Sequence, residues 1–391
     1  MSLFAYMIWS PAPNIIPGYE IPRWYGLLFA MGFIVSQQIM YYLYRKDARP
    51  EKDIDILTVH MILGTILGAR LGHCLFYDPL HYLSNPFLIL KVWEGGLASH
   101  GGALGILAAV YVFVNYDIKV KFIPIIPGLI GIPKSFKSKK KKREGQSFLW
   151  VVDRLVIVVA ITGAMIRTGN FINSEIIGKP TNSESGVVFS RSLEEVILKN
   201  PDVDYVEFEM SVNREAYQNG EVPINLIVHY QRDSKFNEVE LKNKLLTQLK
   251  QVRGYSSVAE HILIPGDIMQ IPINVYKEDV HFVANVGIYG IARHPAQLYE
   301  ALYCIVLFLL LFYLWANFRH MLPEGFTFGL FLALLWALRF ADEFFKENQV
   351  AFEEGLPLNM GQILSIPLFL VGILVMIYSF KKGKRTEKAS R

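Results

Sequence analysis

The stretch AQLYEALYCIVLFLLLFYLWAN, residues 296–317, decides the fold class of this chain. Glu300 is the only charged residue among its 22 positions. A helix of about 20 apolar residues is long enough to cross a hydrocarbon layer about 30 Å thick. A segment inside that layer must satisfy its own backbone hydrogen bonds, which favours a helix over a single strand. Residues 296–317 are therefore predicted to form a membrane helix.

Six further apolar stretches have the same character, at residues 24–44, 54–77, 97–116, 148–167, 325–344 and 360–380. Of the 391 residues, 52% are hydrophobic and 19% are charged, which excludes a disordered chain, a coiled coil and a purely water-soluble enzyme. Because the opening residues lack a basic segment before their apolar stretch, no cleaved signal peptide is expected. The predicted fold is an all-α polytopic membrane protein with seven transmembrane helices.

The Lys and Arg residues between these stretches predict the orientation. Alternate crossing puts 20 of them on one side, and only Lys91 and Lys346 in the short loops on the other. The richer side is the cytoplasmic one, so the N-terminus is expected outside and the C-terminus in the cytoplasm. The cytoplasmic loop 117–147 contains the run KSFKSKKKKR at 134–143. This run either binds anionic headgroups or, as we favour, is a solvated topology signal. The net charge of +4 gives no indication of nucleic acid.

Residues 181–291 are polar and are predicted to form a small extracytoplasmic α+β insertion. Two series of apolar residues alternate with polar ones, as in half-buried strands. The series are Val206, Phe208, Met210 and Val212, then Ile224, Leu226, Val228 and Tyr230. Asn219–Gly220 is the turn signal between them. Helical spacing follows at Leu241, Leu245, Leu249 and Val252. The expected domains are residues 1–180 with four helices, the insertion 181–291, and residues 292–391 with three helices and a basic cytoplasmic tail.

Charged residues inside the predicted spans need a reason, because each costs at least about 2.5–3.5 kcal/mol near the membrane centre. The second stretch holds Arg70 and His73, beside a glycine at every fourth position over residues 64–72 that predicts close helix packing. In the third stretch, glycines flank His100 in GGLASHGGALG, residues 95–105. An imidazole can move a proton near neutral pH, although a lone membrane histidine can also be a simple interhelical donor.

The fourth stretch ends in RTGNFINSEIIG, residues 167–178. Arg167 is followed by the amides of Asn170 and Asn173 and the carboxylate of Glu175. The guanidinium keeps its proton, and its planar fork suits phosphate oxygens. The alternative is an arginine that extends to the headgroups while the asparagines cap the helix. Four polar groups within nine residues favour a functional cluster.

More polar residues open the fifth stretch within RHPAQLYE, residues 293–300. Three of them share one helix face, namely His294, Gln297 and Glu300. In the sixth stretch Arg339 and Glu343 are four residues apart and can pair, which by itself could be structural. Alternate crossing places the pair of Arg339 and Glu343 in the outer half of the membrane. The same reasoning places His100, Arg167 and Glu175 there. Their convergence predicts an anionic phospholipid ligand.

The type of chemistry follows partly by elimination. The spans show no serine or cysteine in a nucleophile elbow, and Cys74 and Cys304 are expected to be small hydrophobic residues. No zinc-type grouping of His, Cys and acidic residues is expected. Direct transfer from a bound lipid to an incoming nucleophile remains. A transporter or channel should spread polar groups through both leaflets, and an assembly protein would leave the Arg167 cluster unexplained.

The chain resembles the prolipoprotein diacylglyceryl transferase family. The resemblance is carried by GGLASHGGALG, RTGNFINSEIIG and RHPAQLYE, by the pair Arg339 and Glu343, and by Arg23-Trp24-Tyr25-Gly26 at the start of the first span. The resemblance covers residues 21–380 except most of the insertion. It implies transfer of an sn-1,2-diacylglyceryl group from phosphatidylglycerol to the lipobox cysteine of a preprolipoprotein in the bacterial inner membrane, with release of glycerol 1-phosphate. It implies no metal or organic cofactor. The expected partners are phosphatidylglycerol, lipobox peptides and membrane lipids.

The resemblance also implies roles for individual residues. The expected catalytic residues are His100, Arg167, Arg339 and Glu343. The expected phosphatidylglycerol-binding residues are Tyr25, Arg167, Asn170, Asn173, Glu175, Gly178 and Arg339. The expected supporting residues are Asp153, His294, Gln297, Tyr299 and Glu300. The two arginines would hold the phosphate, Glu343 would orient Arg339, and His100 would be the base for the incoming thiol.

Two features depart from the family. Leu335 stands where the family can have a tyrosine, so the role of that hydroxyl is absent or is supplied from elsewhere, with Tyr299 as the candidate. The insertion 181–291 is longer than the arm expected in the family.

Overall fold

The computed structural model describes residues 6–16, 19, 21–92, 95–96, 98–126, 130–140, 143–183, 186–211, 220–232, 235–266, 271–347 and 357–390. The side chains of 119–138 and 384–390 are outside this description. Leu97, Val212 and Asn219, on which parts of the sequence predictions rest, also lie outside it. The chain divides into two compact units. The first unit comprises Met1–Met31, Gly163–Cys304 and Ala337–Ile366, and the second comprises Gly32–Thr162, Ile305–Trp336 and Pro367–Arg391.

The helices account for every stretch that the sequence predicts to be a membrane helix. In chain order they are α1 (Trp24–Lys46), α2 (Lys52–Phe76), α3 (Pro79–Ser84), α4 (Ser99–Asn115), α5 (Phe148–Ile172), α6 (Arg191–Ile197), α7 (Glu238–Val252), α8 (Ser256–Ala259), α9 (Ala296–Phe318), α10 (Phe326–Asp342) and α11 (Met360–Ser390). Among the described residues, five helices are long and apolar enough to cross a membrane: α1, α2, α5, α9 and the Met360–Gly383 part of α11. Helices α4 and α10 have 17 residues each.

The strands form a seven-stranded sheet and a separate hairpin. They are β1 (Met7–Trp9), β2 (Tyr116–Ile126), β3 (Ile130–Lys140), β4 (Val187–Phe189), β5 (Val203–Met210), β6 (Glu221–Tyr230), β7 (Ile262–Leu263), β8 (Ile273–Glu278) and β9 (His281–Arg293). In the first unit the order is β1-β4-β9-β6-β5, with β7 and β8 also paired to β9. Only β1 and β4 run parallel in this sheet. The predicted strand pair is present as β5 and β6.

The core of the first unit lies between one face of this sheet and helix α7. A capping box at Asn237 and Glu240 starts α7, because it satisfies backbone N–H groups that have no partner inside the helix. The four apolar residues predicted to share a face of this helix are all buried. They pack with alternate residues of β6, since successive side chains of a strand point to opposite faces.

In the second unit, α2 and α4 pack with their backbones almost touching. A Cβ at Gly72 would lie 2.7 Å from the Cα of Gly101, and one at Gly64 would lie 2.6 Å from the Cβ of Ala109. Only glycine fits at such an approach. The glycine stripe of the second stretch therefore serves packing, as predicted.

Arg70 holds the segment that leads to α4. Its guanidinium donates to the carbonyl oxygens of Leu88, Ile89 and Gly95 at 2.6, 3.0 and 2.6 Å. The guanidinium also lies over the ring of Tyr82, 5.0 Å from its centroid. Arg70 is almost completely buried, so its place within an apolar helix has a structural explanation.

The basic run at 134–143 is not a simple solvated loop. Strands β2 and β3 pair antiparallel through most of it. At its end, the side chain of Arg143 keeps only 9% of its surface and donates to Asp53 at 3.2 Å and to the carbonyl of Phe113 at 2.9 Å. The expectation of a solvated run is therefore wrong at Arg143, because a buried carboxylate is available to pair with it.

Candidate active site

The predicted polar cluster forms where α5 ends. Ser174 and Ile176 adopt positive φ angles of 54° and 56°, and the backbone N–H of Glu175 donates to the carbonyl of Asn170 at 3.0 Å. This turn carries the Glu175 carboxylate back to the last helical residues. The amides of Asn170 and Asn173 then donate to its two oxygens at 3.0 and 3.1 Å. The amides are buried, so the carboxylate has a fixed position.

Arg167 connects this turn to the start of α9. Its guanidinium donates to the side-chain oxygen of Asn170 at 3.4 Å and forms an ion pair with Glu300 at 2.6 Å. Gln297, one turn before Glu300, donates its side-chain amide to the carbonyl of Glu175. The spacing of three residues in RHPAQLYE therefore brings Gln297 and Glu300 onto the same cluster, as the sequence predicts.

Lys346 is the residue of this cluster that sequence reasoning missed. The sequence places it among the charges of a short loop, and in the structure it is almost completely buried. Its ammonium pairs with Glu300, with Asp342 at 2.9 Å and with Glu343 at 3.3 Å. A signal was present, because Lys346 follows Asp342 and Glu343 by four and three residues, the spacing at which helical neighbours meet.

Arg339 and Glu343 form the predicted pair, with 3.3 Å between the guanidinium nitrogen and the carboxylate oxygen. Asn359 donates to the other oxygen of Glu343 at 3.2 Å. Glu343 is buried and therefore shared among three donors. Through Glu343, Lys346 and Glu300, the two arginines belong to one chain of alternating charges, which we call the charge chain: Arg167–Glu300–Lys346–Glu343–Arg339.

Gly178 and His294 define the edge of the cluster. The N–H of Gly178 donates to the carbonyl of His294 at 3.2 Å, and a Cβ at Gly178 would collide with that oxygen. Glycine is required at position 178 because there is no room for a Cβ atom. The imidazole Nδ1 of His294 lies 3.2 Å from the hydroxyl of Tyr299, and burial lowers the pKa of His294. Tyr25 packs against Gly169, where a Cβ would lie 3.0 Å from its ring.

The exposure of the charge chain is uneven. The carboxylates of Glu300 and Glu343 keep 3% and 8% of their side-chain surface, whereas Arg167 and Arg339 keep 21% and 30%. A guanidinium has five N–H donors in one plane and binds phosphate oxygens in pairs. The buried acids therefore fix two arginines that still present surface to an anion.

Comparisons with known proteins agree with this chemistry. A family model described as prolipoprotein diacylglyceryl transferase matches residues 14–129 and 127–378. The chain belongs to the prolipoprotein diacylglyceryl transferase family. A protein of Tolumonas auensis is 32% identical over 380 residues, covering 97% of this chain and 100% of that protein. A protein of Chloroherpeton thalassium is 29% identical over 391 residues, covering 100% of both chains. A protein of Bacteroides fragilis is 30% identical over 387 residues, covering 96% of this chain and 95% of that protein. All three are named phosphatidylglycerol–prolipoprotein diacylglyceryl transferase.

The range matched by the prolipoprotein diacylglyceryl transferase model extends across 181–291. The resemblance based on the sequence motifs did not include most of this segment. Its strands β5, β6, β8 and β9 and its helix α7 belong to the same compact unit as the charge chain.

Two residues that the family resemblance assigns to the site lie in the second unit. His100 is the second residue of α4 and is exposed. Asp153 is buried in α5, where its carboxylate accepts from the N–H groups of Gly325 and Phe328 at 2.7 and 2.8 Å. Asp153 therefore satisfies N–H groups at the start of α10, a structural role that the sequence did not suggest.

Three side chains of the first unit bring possible metal-ligand atoms close together. The sequence suggested no zinc-type grouping, yet His229, Glu278 and His281 bring possible ligand atoms within 4.8 Å of one another. They lie on the sheet of the first unit. Local spacing does not reveal this grouping, because the two histidines are 52 positions apart.

Proposed function

We propose that this chain transfers the sn-1,2-diacylglyceryl group of phosphatidylglycerol to the thiol of a lipobox cysteine and releases glycerol 1-phosphate. This reaction is the first step of bacterial lipoprotein maturation. The observation that carries the proposal is the charge chain, in which buried Glu300, Lys346 and Glu343 fix Arg167 and Arg339. The names of the full-length relatives support the same reaction.

The two arginines bind the phosphate of the lipid. A phosphodiester shares one negative charge between two non-bridging oxygens, and each guanidinium can donate to them through two parallel N–H groups. Glu343 orients Arg339, and Glu300 orients Arg167, so little side-chain freedom is lost when the lipid binds. Glu175, held by Asn170 and Asn173, accepts hydrogen bonds from hydroxyl groups of the glycerol headgroup.

The transfer itself is a displacement at carbon. The lipobox sulfur forms a bond to the terminal glyceryl carbon of the diacylglyceryl group while the bond from that carbon to a phosphate oxygen breaks. The electron pair leaves with the oxygen of glycerol 1-phosphate. Positive groups that are already in place lower the barrier because negative charge grows on this leaving group.

His100 is proposed as the base that accepts the thiol proton. A free cysteine thiol has a pKa of about 8.5 and is mostly protonated at neutral pH. Removing its proton produces the stronger nucleophile, and imidazole is suited to this task. This role rests on the GGLASHGGALG motif and on the chemistry of the side chain.

The membrane arrangement belongs to the proposal as well. We propose seven spans in the bacterial inner membrane, with the N-terminus outside, the C-terminus in the cytoplasm and residues 181–291 on the outer face as an insertion between the fourth and fifth spans. Helices α4 and α10, with 17 residues each, would be about 25 Å long. This length suffices where the bilayer thins or flanking residues extend to the interface.

The test uses the full chain in detergent with labelled phosphatidylglycerol and a lipobox peptide. Glycerol 1-phosphate and the thioether-linked peptide should appear in equal amounts. A peptide with serine in place of the lipobox cysteine should give neither product. A chain that consumes no phosphatidylglycerol under these conditions, although folded, would contradict the proposed function.

The role of His100 is tested in the same assay with His100→Ala. We expect loss of turnover near neutral pH and partial recovery at high pH, where the thiol loses its proton without help. The exposed His81 provides a control of the same residue type, and His81→Gln should retain wild-type turnover. Full activity of His100→Ala at pH 7 would remove the base assignment and leave the phosphate-binding proposal standing.

A further inference from the structure

Two histidines and two glutamates that are not part of the charge chain lie together on the sheet of the first unit. His229 lies on β6, His281 begins β9, and Glu278 ends β8. One possible ligand atom from each of these three residues lies within 4.8 Å of the other two. Glu207 on β5 approaches the same histidine, with its carboxylate 3.7 Å from Nε2 of His229.

The strand register explains why these residues meet. His229 pairs with Tyr205 on one side and with Val283 on the other, while Glu278 pairs with His281. Residues two apart on a strand share a face, so His281 follows Val283 onto the face that holds His229. The neighbouring positions, such as Val228, enter the hydrophobic core on the opposite face. The group is therefore built on a sheet rather than on a loose loop.

The distance between the histidines fits a shared metal ion. Nδ1 of His229 and Nε2 of His281 are 3.4 Å apart. Zinc binds histidine nitrogen at about 2.0–2.1 Å with tetrahedral geometry, which puts two such nitrogens about 3.3–3.4 Å apart. A direct N–H···N hydrogen bond between the rings would be long at this separation, since such bonds prefer about 2.9–3.0 Å.

The surroundings of His229 also match those of a metal ligand. Its residue surface is only 7% exposed, and Nε2 is buried without a hydrogen-bond partner among the described residues. The ring of Tyr205 stacks on it at a centroid distance of 4.0 Å and an angle of 11°. Metal-bound histidines usually direct their second nitrogen at a carboxylate, which fixes the tautomer and the ring. Glu207 is positioned for that role.

We propose that Nδ1 of His229, Nε2 of His281 and the carboxylate of Glu278 bind a divalent transition-metal ion of the zinc type. Two imidazoles and one carboxylate are a common ligand set for such ions. A water molecule would complete the tetrahedron, and Glu207 would orient His229. The ion would tie the β8–β9 turn to β6. The site stands on its own geometry and is independent of the transfer reaction.

The experiment measures Zn²⁺ binding to the full chain, purified in detergent through a tag without histidine and first treated with a chelator. Competition with a coloured zinc chelator should show one tight site per chain. His281→Gln and Glu278→Gln should each weaken binding by at least tenfold, and Zn²⁺ should raise the melting temperature of the wild type but not of these variants. His81→Gln, which changes an exposed histidine of the second unit, should bind Zn²⁺ like the wild type.

These variants keep the proposal open to refutation even where a buried change prevents folding. His229→Gln alters a buried ring and could fold poorly, whereas Glu278 is exposed. Tight binding that survives in both His281→Gln and Glu278→Gln, or an absence of tight binding in the wild type, would overturn the site. Transfer of diacylglyceryl in the same preparations reports on the proposed function separately.

Discussion

The two units of this chain use buried arginines in different ways. In the second unit, Arg70 gives its donors to three backbone carbonyls, and Arg143 and Arg154 each pair with a buried aspartate while keeping 9% of their side-chain surface. In the first unit, Arg167 and Arg339 pair with buried glutamates but keep 21% and 30%. Arg143 and Arg154 are thus largely enclosed by the protein, whereas Arg167 and Arg339 still present side-chain surface.

The difference shows which arginines are candidates for a ligand. A buried arginine whose N–H donors all bind protein acceptors thereby offsets the free-energy cost of its own burial. It has no donor left for a substrate. A cation that is oriented by a buried acid, yet remains accessible, can bind an anion without rearrangement. Arginine inside an apolar helix is therefore an ambiguous sequence signal, and its hydrogen-bond partners decide between the two roles.

The largest expected effect is on Arg167→Ala. Loss of a phosphate-binding guanidinium should lower the transfer rate by at least about 1000-fold, or about 4 kcal/mol in the barrier. The measurement is release of glycerol 1-phosphate from labelled phosphatidylglycerol. Arg253→Ala is the control, since Arg253 donates to the carbonyl of Gly266 in the same unit but lies outside the charge chain. Equal rates in the two variants would mean that Arg167 matters no more for transfer than an arginine outside the charge chain.

The comparison also shows which side-chain contacts could be predicted from the sequence. The cluster of Arg167, Asn170 and Glu175 and the pair of Arg339 and Glu343 were predictable because helical spacing and a helix end bring these residues together locally. The contact between Lys346 and Glu300 joins residues 46 positions apart. It depends on how α9 and the end of α10 pack in the first unit, which local periodicity does not encode. Local periodicity likewise does not encode the contacts of Arg70 with carbonyl oxygens 18 and 19 positions away.

Arg70→Ala should act on stability instead. Removing the guanidinium leaves three carbonyl oxygens without their charged donor, and each such bond contributes about 1.5–3 kcal/mol when partners are buried. Allowing for relaxation, we expect a loss of about 3 kcal/mol, seen as a lower melting temperature in detergent. An unchanged melting temperature together with lost transfer activity would move Arg70 into the same class as Arg167.

A smaller effect is expected for Glu343→Gln. The amide keeps the size of the side chain but removes the charge that orients Arg339, so we expect a rate about 10- to 100-fold lower, or about 1.4–2.7 kcal/mol. The loss should appear mainly as a higher KM for phosphatidylglycerol, because Arg339 still carries its charge. The control is Glu51→Gln, which breaks the exposed pair with Arg45 and should change neither rate nor stability measurably. A fall in kcat alone would place Glu343 in the chemical step.

The last prediction concerns a saturated arginine of the first unit and the histidine beside it. Arg293 lies in the first unit, yet it is buried and donates to the carbonyls of Gly178 and Glu260 and to the carboxylate of Glu347. Burial, and then the positive charge of Arg293, lowers the pKa of His261 to about 4. The unfolded chain, with a histidine pKa of about 6.5, binds this proton more readily, so the contribution to stability is complete above pH 6.5 and is lost as the pH falls toward 4.

At pH 5 the loss should be about 2 kcal/mol relative to pH 7. It is measured as the difference between the melting temperatures of wild type and His261→Gln at the two pH values, because the other histidines contribute equally to both proteins. The wild type should lose more stability than the variant on acidification. Parallel pH profiles would mean that His261 takes up its proton freely in the folded protein. Such freedom would require water to reach His261, because burial is the larger cause of its lowered pKa, and would require the charge of Arg293 to act on it less than the structure indicates.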